Sequence, residues 1–293
     1  MARPPPLRRA APRQGRPAPP SAILRRVKAA ITGASGLIGR RLGALLDGVV
    51  AVPRGRPEDV AGADVVFHLA AQTVVAEAWR DPRATFEANV GLTWRVLDAA
   101  GGARVVVAST DQVYGPRPPL PCPESAPLEP EGPYPASKAA ADLLARNAGG
   151  DVVVARLANV YGPGDRHTTR LVPGVVTAVL EGRRPVIRGD GSARRDLLHV
   201  DDAAAGLLAL AERGEAGQAY NVGSGEARSV RDVVDAVLAA AGSDLQPEVE
   251  GGAPPGEGGR RALDVAKIAE ATGWRPSITL EDGLRRTWEE WPR

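Results

Sequence analysis

Cysteine is almost missing from this chain: Cys122 is the only one in 293 residues. An intrachain disulfide and a cysteine-based metal cluster are both excluded, and a reducing compartment, the cytoplasm, fits. Lysine is nearly as scarce, confined to Lys28, Lys138 and Lys267 against abundant arginine, so each lysine is informative. No apolar run reaches the ~20 residues that span a bilayer, so no membrane partner is expected. Charge of one sign is lacking too. The net charge of +2 gives no global field for nucleic acid. Of the three histidines, His68 falls inside a strand and reads as structural. His167 and His199 lack a carboxylate at ligand spacing, so surface roles and no metal are expected.

Residues 1–26 are rich in Pro, Arg and Ala and have too few large apolar residues to pack. They read as a disordered tail or as an upstream start codon; an Arg-rich transit peptide or nucleic-acid arm is the sharper alternative. Order is predicted from Val27. Strands are expected at 27–32, 49–52, 65–69, 104–108 and 152–156. Helices are expected at 36–46, 85–100 and 134–147, with a helical fragment at 58–62. Strands alternating with helices predict an α/β fold, a Rossmann-type doubly wound parallel sheet. The strands are nearly continuous apolar runs, as in a sheet covered on both faces. The dinucleotide-binding domain is placed at 27–163, completed by about 195–210. Residues 164–293 mainly form a smaller, interleaved substrate-binding part.

Gly33, Gly36 and Gly39 are spaced three apart after the first strand. Gly33 suits a tight turn, Gly36 lets a pyrophosphate reach the N–H groups opening a helix, and Gly39 permits close helix packing. Ser35, Leu37 and Ile38 complete this cofactor turn. The second strand ends Val52-Pro53-Arg54-Gly55-Arg56, without the acid that usually bonds the adenosine ribose. Arg54 or Arg56 would instead hold a 2′-phosphate, so NAD and NADP both stay open.

Tyr134 and Lys138 stand four apart at a helix start, on one face. A tyrosine beside a fixed ammonium has a lowered pKa and can take a proton from a hydroxyl as hydride leaves for a nicotinamide. Ser109-Thr110-Asp111-Gln112 follows a strand, at the carboxyl end of the sheet where ligands bind.

These elements resemble an extended short-chain dehydrogenase/reductase of the NAD-dependent epimerase/dehydratase family, acting on nucleotide sugars. The resemblance runs from about Val27 to Trp288. It includes His68-Leu69-Ala70-Ala71-Gln72, Asn89-Val90-Gly91, Ser109 to Gly115, Tyr134 to Lys138, Arg156 to Gly164, Arg195-Asp196, Tyr220 to Gly225 and Gly273-Trp274-Arg275-Pro276. It implies catalysis by Thr110, Tyr134 and Lys138, a cofactor lined by Leu69, Ala70, Ala71 and Asn89, and a substrate diphosphate gripped by Arg195, with Asn159 and Arg261 nearby. Gln72, Gln112 and Arg170 join the substrate candidates. Guanidinium forks and amide donors suit a diphosphate.

Two departures bear on the reaction. About ten to twenty residues usual between the second strand and His68 are missing, judged against ordinary βαβ lengths. And where 4,6-dehydratases carry Asp-Glu or Asp-Lys after the threonine, this chain has Asp111-Gln112. An amide neither takes nor gives a proton near neutral pH. That favours an epimerase, with transient oxidation at the sugar C4. Asp111, which a simple epimerase does not need, and likeness to the CDP-glucose 4,6-dehydratase branch keep dehydration as the alternative. A 4-ketoreductase and a non-catalytic dinucleotide sensor follow. The resemblance further implies a homodimer, since in this family the helices matching 85–100 and 134–147 pair across a two-fold axis.

Overall fold

The computed structural model describes residues 24, 27–252 and 261–292, so the expectations for residues 1–23 and 25–26 lie outside it. Among the described residues there are eleven strands: β1 Ala29–Thr32, β2 Val50–Val52, β3 Val65–His68, β4 Arg104–Thr110, β5 Val152–Leu157, β6 Asn159–Tyr161, β7 Val186–Arg188, β8 Arg194–His199, β9 Ala219–Val222, β10 Ala227–Ser229 and β11 Glu248–Glu250. The helices are α1 Leu37–Leu45, α2 Val75–Arg80, α3 Pro82–Phe86, α4 Leu92–Ala100, α5 Pro133–Asn147, α6 Leu171–Leu180, α7 Val200–Arg213, α8 Val230–Ala241, α9 Ala266–Thr272 and α10 Leu280–Glu289. A π-helical turn, Glu87–Gly91, joins α3 to α4.

The main sheet is parallel, in the order β2-β1-β3-β4-β5-β9. Successive side chains point to opposite faces of a strand, and the core divides accordingly. Ile31, Phe67, Val106 and Val153 join one cluster, beneath α1 and α7. Ala30, Val66, Val105 and Val154 join the other, beneath α4 and α5. This is the doubly wound Rossmann-type sheet that the alternation predicts. Against the 3-2-1-4-5-6 order of such folds, the strand beyond β2 is absent. A connection through the 3-10 turn Pro57–Val60 leads from β2 to β3, which accounts for the shortening seen in the sequence.

The sheet is completed by α7 and β9, further along than 195–210. Residues 194–199 instead form β8, the middle of a second sheet ordered β10-β8-β6. Packed around it, α6, α8 and α10 bury Val172, Val176, Val233, Val237 and Leu284 in a third cluster. His199 is buried, against expectation, because its ring caps α7: Nδ1 accepts from Asp201 N at 3.2 Å.

Candidate active site

A cleft of about 2300 Å³ runs along the carboxyl ends of β1, β3, β4 and β5, from the glycine turn at one end to Arg261 at the other. Gly33, Ser35, Gly36, Leu37, Ile38 and Gly39 all line it. The backbone there admits no larger residue at two points. Gly33 has φ +72°, and a Cβ would lie 2.8 Å from Ala70 N; a Cβ on Gly39 would lie 2.3 Å from Gly33 O. The N-cap of α1, Gly36, carries no side-chain cap, which leaves helix N–H groups for an anion. The residues present therefore fit a dinucleotide pyrophosphate. Leu69, Ala70 and Ala71 form the facing wall, and Arg54 lies on the rim. Arg56 is occupied by Glu58 and Asp59.

Thr110, Tyr134 and Lys138 line the same cleft. Pro133 pre-sets the first turn of α5, which points Tyr134 and Lys138 back towards β4. The Lys138 ammonium does not sit against the phenol; it donates to the Ala108 carbonyl at 2.6 Å. The expected depression of the Tyr134 pKa is therefore not found. Burial pushes the phenol up to about 12, the Thr110 hydroxyl and Arg170 offset part of that, and Asp111 adds to it. Burial likewise brings Lys138 down to about 8, against the pull of Asp142.

Asp111 stands behind the cleft rather than on its surface: 2% exposed, it accepts from Thr110 Oγ1 at 3.3 Å, and its second oxygen has no partner. Burial raises its pKa, only partly offset by Arg261, Thr110 and Arg195. Gln112 lines the cleft. Asn89 is also behind the wall, its amide bonded to Gln72 and Ser137.

At the far end Asn159, Arg170, Arg195 and Arg261 line the cleft with Gln72. Arg170 reaches Asp165 and Thr73. Asn159 Nδ2 and Arg261 Nε are buried donors without a protein partner. Buried unsatisfied donors are costly unless a ligand completes them.

Sequence reasoning missed two residues, Arg40 and Trp79. Arg40 donates to the carbonyls of Ser35 and Gly164, both at 2.5 Å, and so ties the glycine turn to the substrate half. Ser109, from the segment already placed at the carboxyl end of the sheet, also lines the cleft, and its buried hydroxyl has no protein partner. Trp79 stands on the rim, packed over Gly132. Long-range carbonyl contacts such as Arg40 to Gly164 leave no sequence signal. Trp79, one of five tryptophans, falls in a stretch with no predicted element.

Sheet order and cleft define a class, the dinucleotide-binding α/β enzymes with a tyrosine and a lysine on one helix. Within it the assignment is specific. Residues 55–223 match the model of the NAD dependent epimerase/dehydratase family, and the chain belongs to that enzyme family. It is 39% identical over 235 residues to a dTDP-glucose 4,6-dehydratase of Streptomyces griseus, covering 78% of this chain and 71% of the relative. It is 36% identical over 239 residues to a UDP-glucose 4-epimerase of Mycolicibacterium smegmatis, covering 77% and 75%. The structure superposes on DesIV, a dTDP-glucose 4,6-dehydratase from Streptomyces venezuelae with NAD bound, at a TM-score of 0.80 and 30% identity, covering 89% of this chain and 96% of that one. The relatives thus include both nucleotide-sugar epimerases and 4,6-dehydratases.

Proposed function

We propose that this enzyme epimerises a nucleoside diphosphate sugar by transient oxidation at C4. One observation carries the reading: the residue after Thr110-Asp111, at the place where a second proton-transfer group would stand, is an amide, Gln112, that lines the cleft. Bound in the cleft, NAD or NADP supplies a reversible hydride acceptor and, when oxidised, a positive charge that favours ionisation of a nearby phenol.

The protein's own part follows from its geometry. Tyr134 takes the proton of the sugar hydroxyl, and Thr110 orients that hydroxyl from β4. Lys138, fixed by the Ala108 carbonyl, keeps its remaining donors for the cofactor ribose that the same cleft would hold. Arg195, Arg261 and Asn159 hold the diphosphate, completing the two unpartnered donors. Inversion at C4 would require the 4-keto sugar to turn its other face to the bound cofactor, and Tyr134 would then return the proton to the C4 oxygen.

Dehydration across C5 and C6 is the second reading. It needs a base for the C5 proton and an acid for the departing hydroxyl. The dehydratases among the relatives support it, and Asp111 is an acid whose pKa burial raises; against it, Asp111 stands behind the cleft and Gln112 supplies no base. Incubation with UDP-, TDP-, CDP- and GDP-sugars separates the two. A C4 epimer supports the first reading, a 4-keto-6-deoxy product the second, and no turnover of any sugar overturns both.

The working form in this proposal is a cytoplasmic homodimer. No helix among the described residues is long and apolar enough to cross a membrane. Trp94 on α4 and Leu143 on α5 are about half exposed, apolar side chains on the two helices that such a dimer would pair. Light scattering tests it; Leu143→Arg should give monomers, and a wild-type monomer ends the idea.

A further inference from the structure

We propose that His68 is a positioning residue: it joins the cofactor wall to the catalytic helix through one directional chain of buried hydrogen bonds, Thr32–His68–Thr93–Asn89–Ser137–Tyr134. The proposal rests on the reading of Leu69–Gln72 as cofactor wall and of Tyr134 as the base.

The direction of the chain follows from counting donors. Thr32 Oγ1 accepts the N–H groups of Leu69 and Ala70, both at 3.1 Å. A hydroxyl oxygen has two lone pairs, so its own proton must go to His68 Nδ1, 2.8 Å away. The ring proton is then on Nε2, which donates to Thr93 Oγ1 at 3.0 Å. Thr93 passes its proton to the Asn89 carbonyl at 2.6 Å, inside the π-helical turn. Asn89 Nδ2 donates to Ser137 Oγ at 2.9 Å, and Ser137 donates to the Tyr134 carbonyl at 2.7 Å. The opposite tautomer would ask Thr32 to accept three protons. Every side chain from Thr32 to Ser137 is at most 3% exposed, so water cannot replace a missing link.

The same chain grips the wall at both ends. Thr32 holds Leu69 and Ala70. Asn89 holds Gln72 twice, its Oδ1 accepting from Gln72 N at 2.7 Å and its Nδ2 donating to Gln72 O at 3.0 Å. Gly33 packs directly on Ala70 N, so the height of this wall sets the width of the pyrophosphate turn. The far end stands on the first turn of α5, which carries Tyr134. Only a neutral ring with one donor and one acceptor fits between the two threonines. His68 is such a ring, since burial and then Lys138 lower its pKa to about 3. The chain thus makes cofactor seating and tyrosine placement one variable.

The test uses the full-length protein and titration with NAD alone. Thr93→Val keeps the side-chain shape and cuts the chain midway, touching neither cofactor nor tyrosine. It should weaken NAD binding about tenfold, the cost of one orphaned buried partner, and shift the pH of half-maximal turnover. Thr93→Ser should restore both to within about twofold. His68→Phe combined with Thr93→Val should lose no more than either change alone. The proposal is overturned if Thr93→Val moves neither readout, or if the two losses multiply, as they do for independent sites. Should Thr93→Val fail to fold, Ser137→Ala puts the same question from the far end: weaker NAD binding supports the chain, and unchanged binding overturns it. The NAD arm reads out even in a protein that turns over no sugar, so failure of the epimerase reading is distinguishable from failure of the chain.

Discussion

The two ends of the cofactor cleft are built to opposite standards. Under the catalytic end, β3, β4 and α5 bury Thr32, His68, Asn89, Thr110, Ser137 and Lys138, and their hydrogen bonds run from one element to the next. At the adenosine end the sheet stops at β2, a three-residue strand paired only with β1. Beyond it Pro53, Arg54, Gly55 and Arg56 are exposed. The difference shows where precision is needed. Proton transfer tolerates little displacement of the reacting groups, whereas the adenosine half supplies binding energy, which a solvated rim can give through charge.

Cutting only the catalytic end should have the largest effect. Tyr134→Phe removes the proton acceptor and leaves the glycine turn untouched, so turnover should fall by ~10²–10⁴ while NAD affinity changes little. Steady-state kinetics beside a binding titration reads both; equal losses in the two would mean that the ends are not separable. Gly33→Ala should strike cofactor binding first. It puts a Cβ 2.8 Å from Ala70 N on a backbone with φ +72°, a strain and clash worth about a hundredfold in NAD affinity. Normal NAD binding by the Gly33→Ala variant would remove Gly33 from the cradle.

Acid should loosen the catalytic end and the neighbouring substrate sheet while sparing the rim. Burial brings His68 to about 3 and His199 to about 4, from an ordinary 6.5. Both rings stay neutral in the fold, and an unfolded chain takes up a proton on each below 6.5. The stability they contribute is full above pH 6.5 and is lost as pH falls towards 4, by about 2 kcal/mol per histidine at pH 5. Urea melts at pH 7.5 and pH 5 check this. Buried Asp196, raised to about 6, works in the opposite direction over the same range, so the reading is the difference between variants: His68→Gln should flatten the slope against wild type, and a slope that His68→Gln leaves unchanged would contradict the burial of that ring.

Much of the catalytic end was legible because its signals are local. The short apolar run Val152–Ala155, closed by Arg156, reads as a covered strand in alternation with helices, and Gly33, Gly36 and Gly39 need only a strand before them and a helix after. Tyr134 and Lys138 share a face through helical periodicity alone. The second sheet was not legible. Its strand Arg194–His199 opens with two arginines and an aspartate, and owes its existence to tertiary pairing with Asn159–Tyr161. The chain through His68 was hidden for the same reason, since its members come from β1, β3, α4, the π-helical turn and α5. Two charge expectations failed on burial. Lys138 spends its proton on a backbone carbonyl instead of the phenol, and the desolvation that the sequence does not show raises Tyr134.

The smallest effect is expected at the open end, and it decides the cofactor. Arg54 lines the cleft with no hydrogen bond or ion pair among the described residues, whereas Arg56 is held by Glu58 and Asp59. No acid stands at the end of β2 to bond a ribose 2′-hydroxyl. A guanidinium there would suit a 2′-phosphate, and such charge-assisted bonds contribute about 1.5–3 kcal/mol before solvent screening. Because the rim is exposed, the low end applies. Arg54→Ser should weaken NADP about tenfold and leave NAD nearly unchanged, with the NADP effect shrinking as salt rises. Titration of both cofactors at two ionic strengths reads this directly. If NADP and NAD affinities fall together, Arg54 supports the shape of the rim rather than a phosphate, and the shortened edge then sets affinity without choosing between the two cofactors.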